Sequence, residues 1–165
     1  MNPQANAVIK MMKHPVKFRM FLFSKLPAAW FSGLKLRELD GQHCVVSVPF
    51  SWYSKNPFRS TYFACLAMAA EMSTGALAMM QVYKRRPPVS MLVTRMEANY
   101  FKKAEGQSFF SCVDGQLLHD TVENAVASGE GHTIQVKSVG TNSKNEKIAE
   151  FIFTWSFKVK KSIAK

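Results

Sequence analysis

The segment from Ser60 to Tyr83 constrains the fold more than any other part of the chain. It is rich in Ala, Leu and Met, and Ser60 or Thr61 can cap a helix at its start. Pro87-Pro88 stop such a helix. One face has the i, i+3, i+4, i+7 spacing (Phe63, Leu66, Ala67, Ala70, Thr74, Leu77, Ala78), and the other side is apolar too (Cys65, Met68, Met72, Ala76, Met79). A helix that is apolar all round is predicted to be buried.

A membrane span is the alternative, because about 20 apolar residues are long enough to cross a bilayer. Glu71 in the middle of the segment would be costly in hydrocarbon, and the flanking strands have soluble character. The sequence therefore favours a core helix, with no stable membrane insertion.

Strand patterns flank the helix. Two short strands with an Asp40-Gly41 turn precede it, three or more longer ones follow it, and an amphipathic helix lies among them. The predicted strands are Leu34–Leu39, Cys44–Phe50, Val89–Phe101, Gln107–Val113, Thr133–Val139 and Lys147–Val159, and the helix is Leu117–Ser128. On the last strand an aromatic stripe (Phe151, Phe153, Trp155, Phe157) needs a large apolar surface. The economical packing is an α+β hotdog fold, in which an antiparallel sheet of five to six strands wraps the long central helix.

Three regions are expected along the chain. Residues 1–32 form an N-terminal helical segment packed on the domain, residues 33–160 form the hotdog domain, and 161–165 form a basic tail. The apolar run Met20–Phe23 is too short for a secretory signal, since Lys25 interrupts it. Cysteines and histidines are scattered without metal-ligand spacing, which predicts reduced thiols, a cytoplasmic location and no metal (Cys44, Cys65, Cys112, His14, His43, His119, His132).

The charge balance predicts an anionic partner. The chain has 22 Lys and Arg against 11 Asp and Glu, a net +11, and residues 1–37 hold seven basic residues and no acidic one. Nucleic acid, a phosphorylated small molecule and an acidic membrane surface all fit such a charge, as does plain solvated surface. No helix-turn-helix, zinc finger or aromatic RNA-binding motif supports nucleic acid.

Glu71 is the one strongly charged side chain between Ser60 and Tyr83. A buried, unpaired carboxylate costs free energy or takes up a proton, so it usually has a partner or a task. It either pairs with a cation or an amide across a subunit contact, or serves as a functional carboxylate in a cleft or interface. Thr74 could hydrogen-bond or hold water, and Gly75 would allow close approach on the same side.

The start of the helix is a second candidate site. Free N–H groups near Arg59, Ser60 and Thr61 would carry partial positive charge and could hold an anion or a developing oxyanion. Asn56 could orient a substrate or a water, although Asn56-Pro57 also fits plain turn chemistry.

The stretches Asn56–Ser60 and Ala69–Gly75 resemble the hotdog-fold thioesterase superfamily, in particular PaaI-like proteins and an uncharacterised domain-of-unknown-function branch beside them. The resemblance covers roughly Gly33 to Lys158. It implies a homodimer or tetramer that hydrolyses an acyl-CoA thioester at a subunit interface, without a cofactor. In it, Glu71 acts as general base or nucleophile, Asn56 positions the water or carbonyl, and a helix-start N–H polarises the thioester. Basic residues would hold the CoA phosphates (Arg59, Lys84, Arg85, Arg86, Lys102, Lys103).

One stretch departs from that pattern. PaaI-like enzymes have a His-Gly-Gly type sequence at the helix entrance, where this chain reads Phe58–Thr61. Glycine lets a ligand approach the backbone closely, so its absence affects the expected oxyanion site. A hotdog protein that binds acyl groups without cleaving them is therefore the alternative, and a dehydratase is disfavoured because the entrance histidine is missing.

Overall fold

A computed structural model describes residues 2–160 of the protein, and the predicted basic tail 161–165 lies outside the described residues. Helices and strands follow the predicted order, with three short helices in front. The helices are α1 (Ala5–Lys13), α2 (Pro15–Lys25), α3 (Pro27–Phe31), α4 (Phe63–Val82) and α5 (Gly115–Ser128). The strands are β1 (Lys35–Leu39), β2 (Cys44–Val48), β3 (Val89–Tyr100), β4 (Ser108–Cys112), β5 (His132–Asn142) and β6 (Lys147–Val159).

All six strands form one antiparallel sheet in the order β1-β2-β4-β5-β6-β3. The longest pairing joins β3 to β6 from Val89–Val159 to Tyr100–Ala149. Strand β3 is thus an edge strand of 12 residues with a neighbour on one side only within the described chain. A long unpaired edge is a ready template for pairing with another chain.

Helix α4 is the core of this sheet, which confirms the predicted hotdog fold. By length and composition it could cross a membrane, but most of its residues are buried within the fold, among them Leu66, Ala69, Ala70, Leu77 and Met80. Facing it, the aromatic stripe of β6 is also buried. A short polar contact crosses this core, because the hydroxyls of Ser73 on α4 and Ser138 on β5 lie 2.8 Å apart.

The start of α4 differs from the prediction. The helix begins at Phe63 after Tyr62, and no side chain caps it, so Ser60 and Thr61 lie in the preceding loop. The loop has its own backbone pairing, a bridge between Lys55 and Thr61, which holds these residues out of the helix.

The N-terminal helices pack against α4 and the sheet. Helix α1 buries Ala5, Val8 and Met12, and α2 buries Phe18 and Leu22. Ahead of them, the side-chain amide of Asn2 donates to the carbonyls of Met80 and Tyr83, at 2.9 and 2.8 Å. The last carbonyls of a helix lack intrahelical donors, so this contact ties the N-terminus to the end of α4.

A close approach at Gly140 generates the first testable prediction. A Cβ there would lie 2.5 Å from Cε1 of the fully buried Phe110, whereas one at Gly131 would meet only Lys158 at 3.9 Å. We expect Gly140→Ala to lower the free energy of unfolding by about 1–3 kcal/mol, because overpacking a core forces side chains off their rotamers. Urea unfolding measures it, and Gly131→Ala is the control. Equal stability of the two variants would contradict the packing described.

Candidate functional site

A half-buried stripe runs along the side of α4 that the sheet does not cover: Ala64, Met68, Glu71, Gly75, Met79 and Val82. Glu71 is its only charged residue. Its side chain lines a pocket of about 140 Å³ between α4 and the N-terminal helices. Met12 from α1 and Phe18 and Phe21 from α2 form one wall, and Met91 of β3 contributes to another. The carboxylate therefore sits in apolar surroundings.

The Glu71 carboxylate has no hydrogen bond or ion pair to any residue in the described range 2–160. Burial raises the pKa of the Glu71 carboxyl above its ordinary value, because desolvation disfavours the charged form. No cation among residues 2–160 compensates this free-energy cost. A raised proton affinity also makes the carboxylate a stronger base.

Gly75 and Thr74, one helical turn from Glu71, have different surroundings. A Cβ at Gly75 would lie 2.9 Å from Oε1 of Glu71, so the glycine makes room for the carboxylate. The Thr74 hydroxyl donates to the Glu71 carbonyl at 2.9 Å and accepts from the Trp155 indole N–H at 3.1 Å. Thr74 is fully buried, and its hydroxyl links α4 to β6 rather than facing the pocket with the carboxylate.

A separate groove of about 570 Å³ lies at the start of α4, between the preceding loop and the end of β3. It brings together five of the predicted site residues: Asn56, Ser60, Thr61, Lys102 and Lys103. Phe63, Tyr62 and Phe101 add exposed aromatic surface to it. The groove therefore combines apolar walls with two cations at its rim.

Asn56 organises the loop beside this groove. Its side-chain oxygen accepts from the amides of Phe58 and Ser60, at 3.0 and 3.1 Å, and its carbonyl accepts from the amide of Arg59 at 3.2 Å. This is the Asx-turn chemistry that the sequence also allowed.

The backbone N–H groups expected to be free are not free. The amides of Arg59 and Ser60 donate to Asn56, and the amide of Thr61 donates to the Ala104 carbonyl at 2.8 Å. The expectation was wrong because α4 begins later than its polar residues suggested. The first helical amides, those of Phe63 and Ala64, have no intrahelical acceptor and lie at the groove end of α4.

The groove and the Glu71 pocket are distinct places within one chain. Phe63 and Glu71 are eight residues apart on α4, about 12 Å along the helix axis. One thioester carbonyl cannot contact both the first amides of α4 and the Glu71 carboxylate of the same chain.

The basic residues predicted to bind phosphates also divide into two groups. Lys102 and Lys103 line the groove, where Lys102 contacts Glu146 at 2.8 Å, and Arg59 lies in an adjoining hollow with Asn56. Lys84, Arg85 and Arg86 line a hollow at the other end of α4, about 30 Å away along a helix of 20 residues. There the guanidinium of Arg85 contacts Glu123 at 2.6 Å.

Within residues 2–160, no three His, Cys, Asp or Glu side chains group as a metal site.

The walls of the Glu71 pocket were missed by sequence reasoning. Met12, Phe18, Phe21, Leu26 and Met91 come from three separate elements or their junctions, and only packing of the N-terminal helices brings them to the carboxylate. The helical spacing of Phe18, Phe21 and Leu22 in a predicted amphipathic segment was the available signal, but it does not identify which surface the segment covers.

Solved structures share this architecture. A Pseudomonas aeruginosa protein of unknown function, described as a probable thioesterase, aligns with a TM-score of 0.74, at 19% identity, over 91% of this chain and 99% of that chain. A Chlorobaculum tepidum protein of unknown function aligns with a TM-score of 0.73, at 16% identity, over 88% and 97%. A Haemophilus influenzae thioesterase aligns with a TM-score of 0.63, at 8% identity, over 95% and 99%. At these identities the likeness establishes the fold alone, and the fold is that of the hotdog class of proteins.

The family follows from the sequence match. The family model named Domain of unknown function (DUF4442) matches residues 16–156, most of the chain. The protein belongs to this family, and the predicted resemblance to the hotdog-fold thioesterase-like group is confirmed. A comparison with curated proteins gives no match.

The raised pKa of Glu71 generates a prediction about stability. In the folded chain, burial raises the pKa of the Glu71 carboxyl above 4.5, its ordinary value. Between the unfolded and the folded pKa, the folded chain therefore keeps a proton that the unfolded chain loses. The free energy of unfolding falls as the pH rises through this range. We therefore expect Glu71→Gln to be more stable than the native protein at about pH 7, with the difference vanishing toward about pH 4. Thermal unfolding across this range measures it.

Glu123 supplies the control of opposite sign. A hydrogen bond from Arg85 lowers the pKa of the Glu123 carboxyl, so its charged form stabilises the fold above the ordinary pKa. Glu123→Gln should thus lose stability at neutral pH and approach the native protein in acid. A Glu71→Gln variant that behaves as Glu123→Gln does would contradict the apolar, unpaired setting of Glu71.

Proposed function

We propose that the protein hydrolyses an acyl thioester, with Glu71 as general base for the attacking water. The observation that carries this proposal is the unpaired Glu71 carboxylate in an apolar pocket, with its pKa raised by burial. The names of structural neighbours with thioesterase descriptions support the same reaction class.

In this reaction the Glu71 carboxylate takes a proton from water as the water oxygen attacks the thioester carbon. The carbonyl π electrons move to oxygen, and the resulting oxyanion needs nearby N–H donors. When it collapses, the carbon–sulfur bond breaks and the thiolate leaves with the bonding pair. The thiolate takes up the proton held by Glu71, and the products are a carboxylic acid and a thiol.

We propose that the working unit is a homodimer whose site combines two chains. Glu71 and the groove of one chain are about 12 Å apart along α4, so a single carbonyl needs the groove of the partner subunit. Two features support such a pairing: the open edge of β3, and the half-buried stripe of α4 with Gly75 at its middle. A tetramer built from such dimers is compatible with the same interface.

The groove suits the carrier end of the substrate. Lys102 and Lys103 at its rim, with Arg59 nearby, could meet the phosphates of a CoA handle. The free amides of Phe63 and Ala64 are the remaining candidates for oxyanion donors. We infer a cytoplasmic location, because Cys44, Cys65 and Cys112 are buried free thiols, as is usual in a reducing compartment.

A binding protein without hydrolysis is the second candidate. The observation that favours it is the occupation of the Arg59, Ser60 and Thr61 amides by hydrogen bonds within the chain. Loss of one oxyanion donor typically costs about 100–1,000-fold in rate. Such a protein would keep the acyl group in the Glu71 pocket and release it unchanged.

Substitution of the base tests hydrolysis directly. We expect Glu71→Gln to lower the rate of acyl-CoA hydrolysis by about 100–10,000-fold, the range typical of general bases. Release of free thiol across a panel of acyl chain lengths measures it. Native activity should rise with pH through the raised pKa of Glu71, since the base must be deprotonated. Folding is checked by circular dichroism.

The two candidates are separated by the same panel. If the native protein releases no thiol from any substrate yet retains bound acyl-CoA in equilibrium dialysis, the binding function replaces the enzymatic one. Turnover by Glu71→Gln at the native rate would overturn the assignment of the base.

A charge placed on the α4 stripe tests the composite site. We expect Met68→Arg to convert the dimer to a monomer and to abolish hydrolysis, because a dimer contact would bury the added guanidinium without a partner. Light scattering gives the mass and the thiol assay gives the activity. The control is Leu117→Arg, an exposed position on α5. A fully active monomer would contradict the two-chain site.

A further inference from the structure

A surface of aromatic side chains lies outside the site described above. Five rings follow one another from α2 to the loop after β2: Phe23–Trp30 at 5.3 Å between centroids, Trp30–Phe31 at 5.0 Å, Phe31–Tyr53 at 5.9 Å and Tyr53–Trp52 at 5.0 Å. We call these five residues the aromatic surface. All except Trp30 are at least half exposed, and Trp52 reaches 73%. Contiguous exposed apolar area of this kind marks an interaction site.

Helix α2 extends this surface with a second apolar stripe. Val16, Met20 and Phe23, spaced i, i+4, i+7, are 60%, 66% and 59% exposed. They lie opposite the buried residues Phe18 and Leu22, so α2 is apolar on both its inner and its outer side. The outer side borders an apolar hollow of about 770 Å³. Packing within the chain explains the inner face of α2 and leaves the outer face without a partner among the described residues.

Every charged side chain in the two segments that carry the aromatic surface is positive. Lys17, Arg19 and Lys25 lie on α2, and Lys55 and Arg59 lie in the loop after Trp52. Residues 1–37 and 41–70 contain no Asp or Glu. None of these five cations lies within 4.0 Å of a carboxylate in the described chain, whereas later basic residues such as Arg85, Lys102 and Lys147 form ion pairs. The surface therefore presents unpaired positive charge around exposed rings.

We propose that the aromatic surface and the outer stripe of α2 dock the protein onto an anionic lipid bilayer. Trp and Tyr rings favour the bilayer interface, an apolar helix face inserts at the headgroup boundary, and Lys and Arg contact acidic headgroups. Burial in hydrocarbon would stabilise the exposed apolar side chains of Val16 and Met20, whereas nucleic-acid phosphates offer them no apolar contact.

A second copy of the chain is disfavoured as the occupant. A two-fold contact sets the same patch against itself, so the unpaired cations of both copies would face one another without acidic partners. The proposed hydrolytic dimer uses β3 and the α4 stripe instead. Lipid docking thus adds a property that does not depend on whether Glu71 catalyses hydrolysis.

Co-sedimentation of the full-length protein with vesicles tests this proposal. We expect binding to vesicles of phosphatidylcholine with about 30 mol% phosphatidylglycerol, and weak binding to phosphatidylcholine alone. Raising the salt from about 0.1 M to about 1 M should release much of the protein, since screening shortens the electrostatic range. Equal binding to both vesicle types would overturn the proposal.

Paired variants separate the apolar and the charged contributions. Met20→Ser with Phe23→Ser should abolish sedimentation, whereas Val113→Ser with Leu117→Ser, exposed apolar residues elsewhere, should not. Lys17→Glu with Lys25→Glu should weaken binding by at least about 25-fold, about fivefold for each positive charge lost. Its control is Lys144→Glu with Lys158→Glu, which changes the net charge equally at exposed positions.

Three further results discriminate the alternatives. The Met20→Ser, Phe23→Ser variant should keep the native mass, fold and thiol release from soluble acyl-CoA, and Glu71→Gln should sediment as the native protein does. A change of mass in that variant would identify an interface between copies and overturn lipid docking. RNA could also compete with the vesicles for the protein, with the Lys17→Glu, Lys25→Glu variant and the Lys144→Glu, Lys158→Glu variant losing equal amounts of vesicle binding. That result would overturn lipid docking in favour of nonspecific binding to polyanions.

Discussion

The packing of α4 against the sheet is the interaction on which the structure depends. One face of the helix is buried by the sheet, and the large buried rings of Phe151, Phe153, Trp155 and Phe157 on β6 supply part of the apolar core around it. Polar links are few and specific: Ser73 meets Ser138, and Thr74 accepts the Trp155 indole N–H. Because those hydroxyls are satisfied inside the fold, Glu71 is the one polar side chain of the helix centre left for another task.

The N-terminal helices complete the surroundings of that carboxylate. The N-terminal segment contacts α4 in two places. Asn2 hydrogen-bonds the end of the helix, and apolar residues of α1 and α2 form a wall of the Glu71 pocket. Desolvation by these walls is the physical cause of the raised pKa of Glu71. The same segment turns a second apolar face and its basic residues outward. One short stretch of chain thus affects both the proton affinity of the site and the character of the surface.

The net charge of +11 has a structured distribution. Several basic residues of the sheet and of the end of α4 form ion pairs, as in Arg85–Glu123, Lys102–Glu146 and Lys147–Glu150. Those of the N-terminal helices and the loop before α4 have no such partners within the described chain. In these two segments, unpaired positive charge and exposed rings therefore occur together, which is the combination on which the proposed lipid docking depends.

The sequence by itself determined the elements whose signals are local. Apolar residues all round α4, alternation in β3 and β6, and the turn at Asp40-Gly41 predicted the fold class, and the solitary charge predicted Glu71 as the residue of interest. Local signals failed at the start of α4, where Ser60 and Thr61 are good caps but loop pairing with Lys55 and Ala104 holds them outside the helix. The tertiary structure alone decided that Lys102 and Arg85 lie at opposite ends of α4, and that residues of α1 and α2 form one wall of the Glu71 pocket. These placements depend on contacts between residues far apart in the chain, which the local sequence around each residue does not predict.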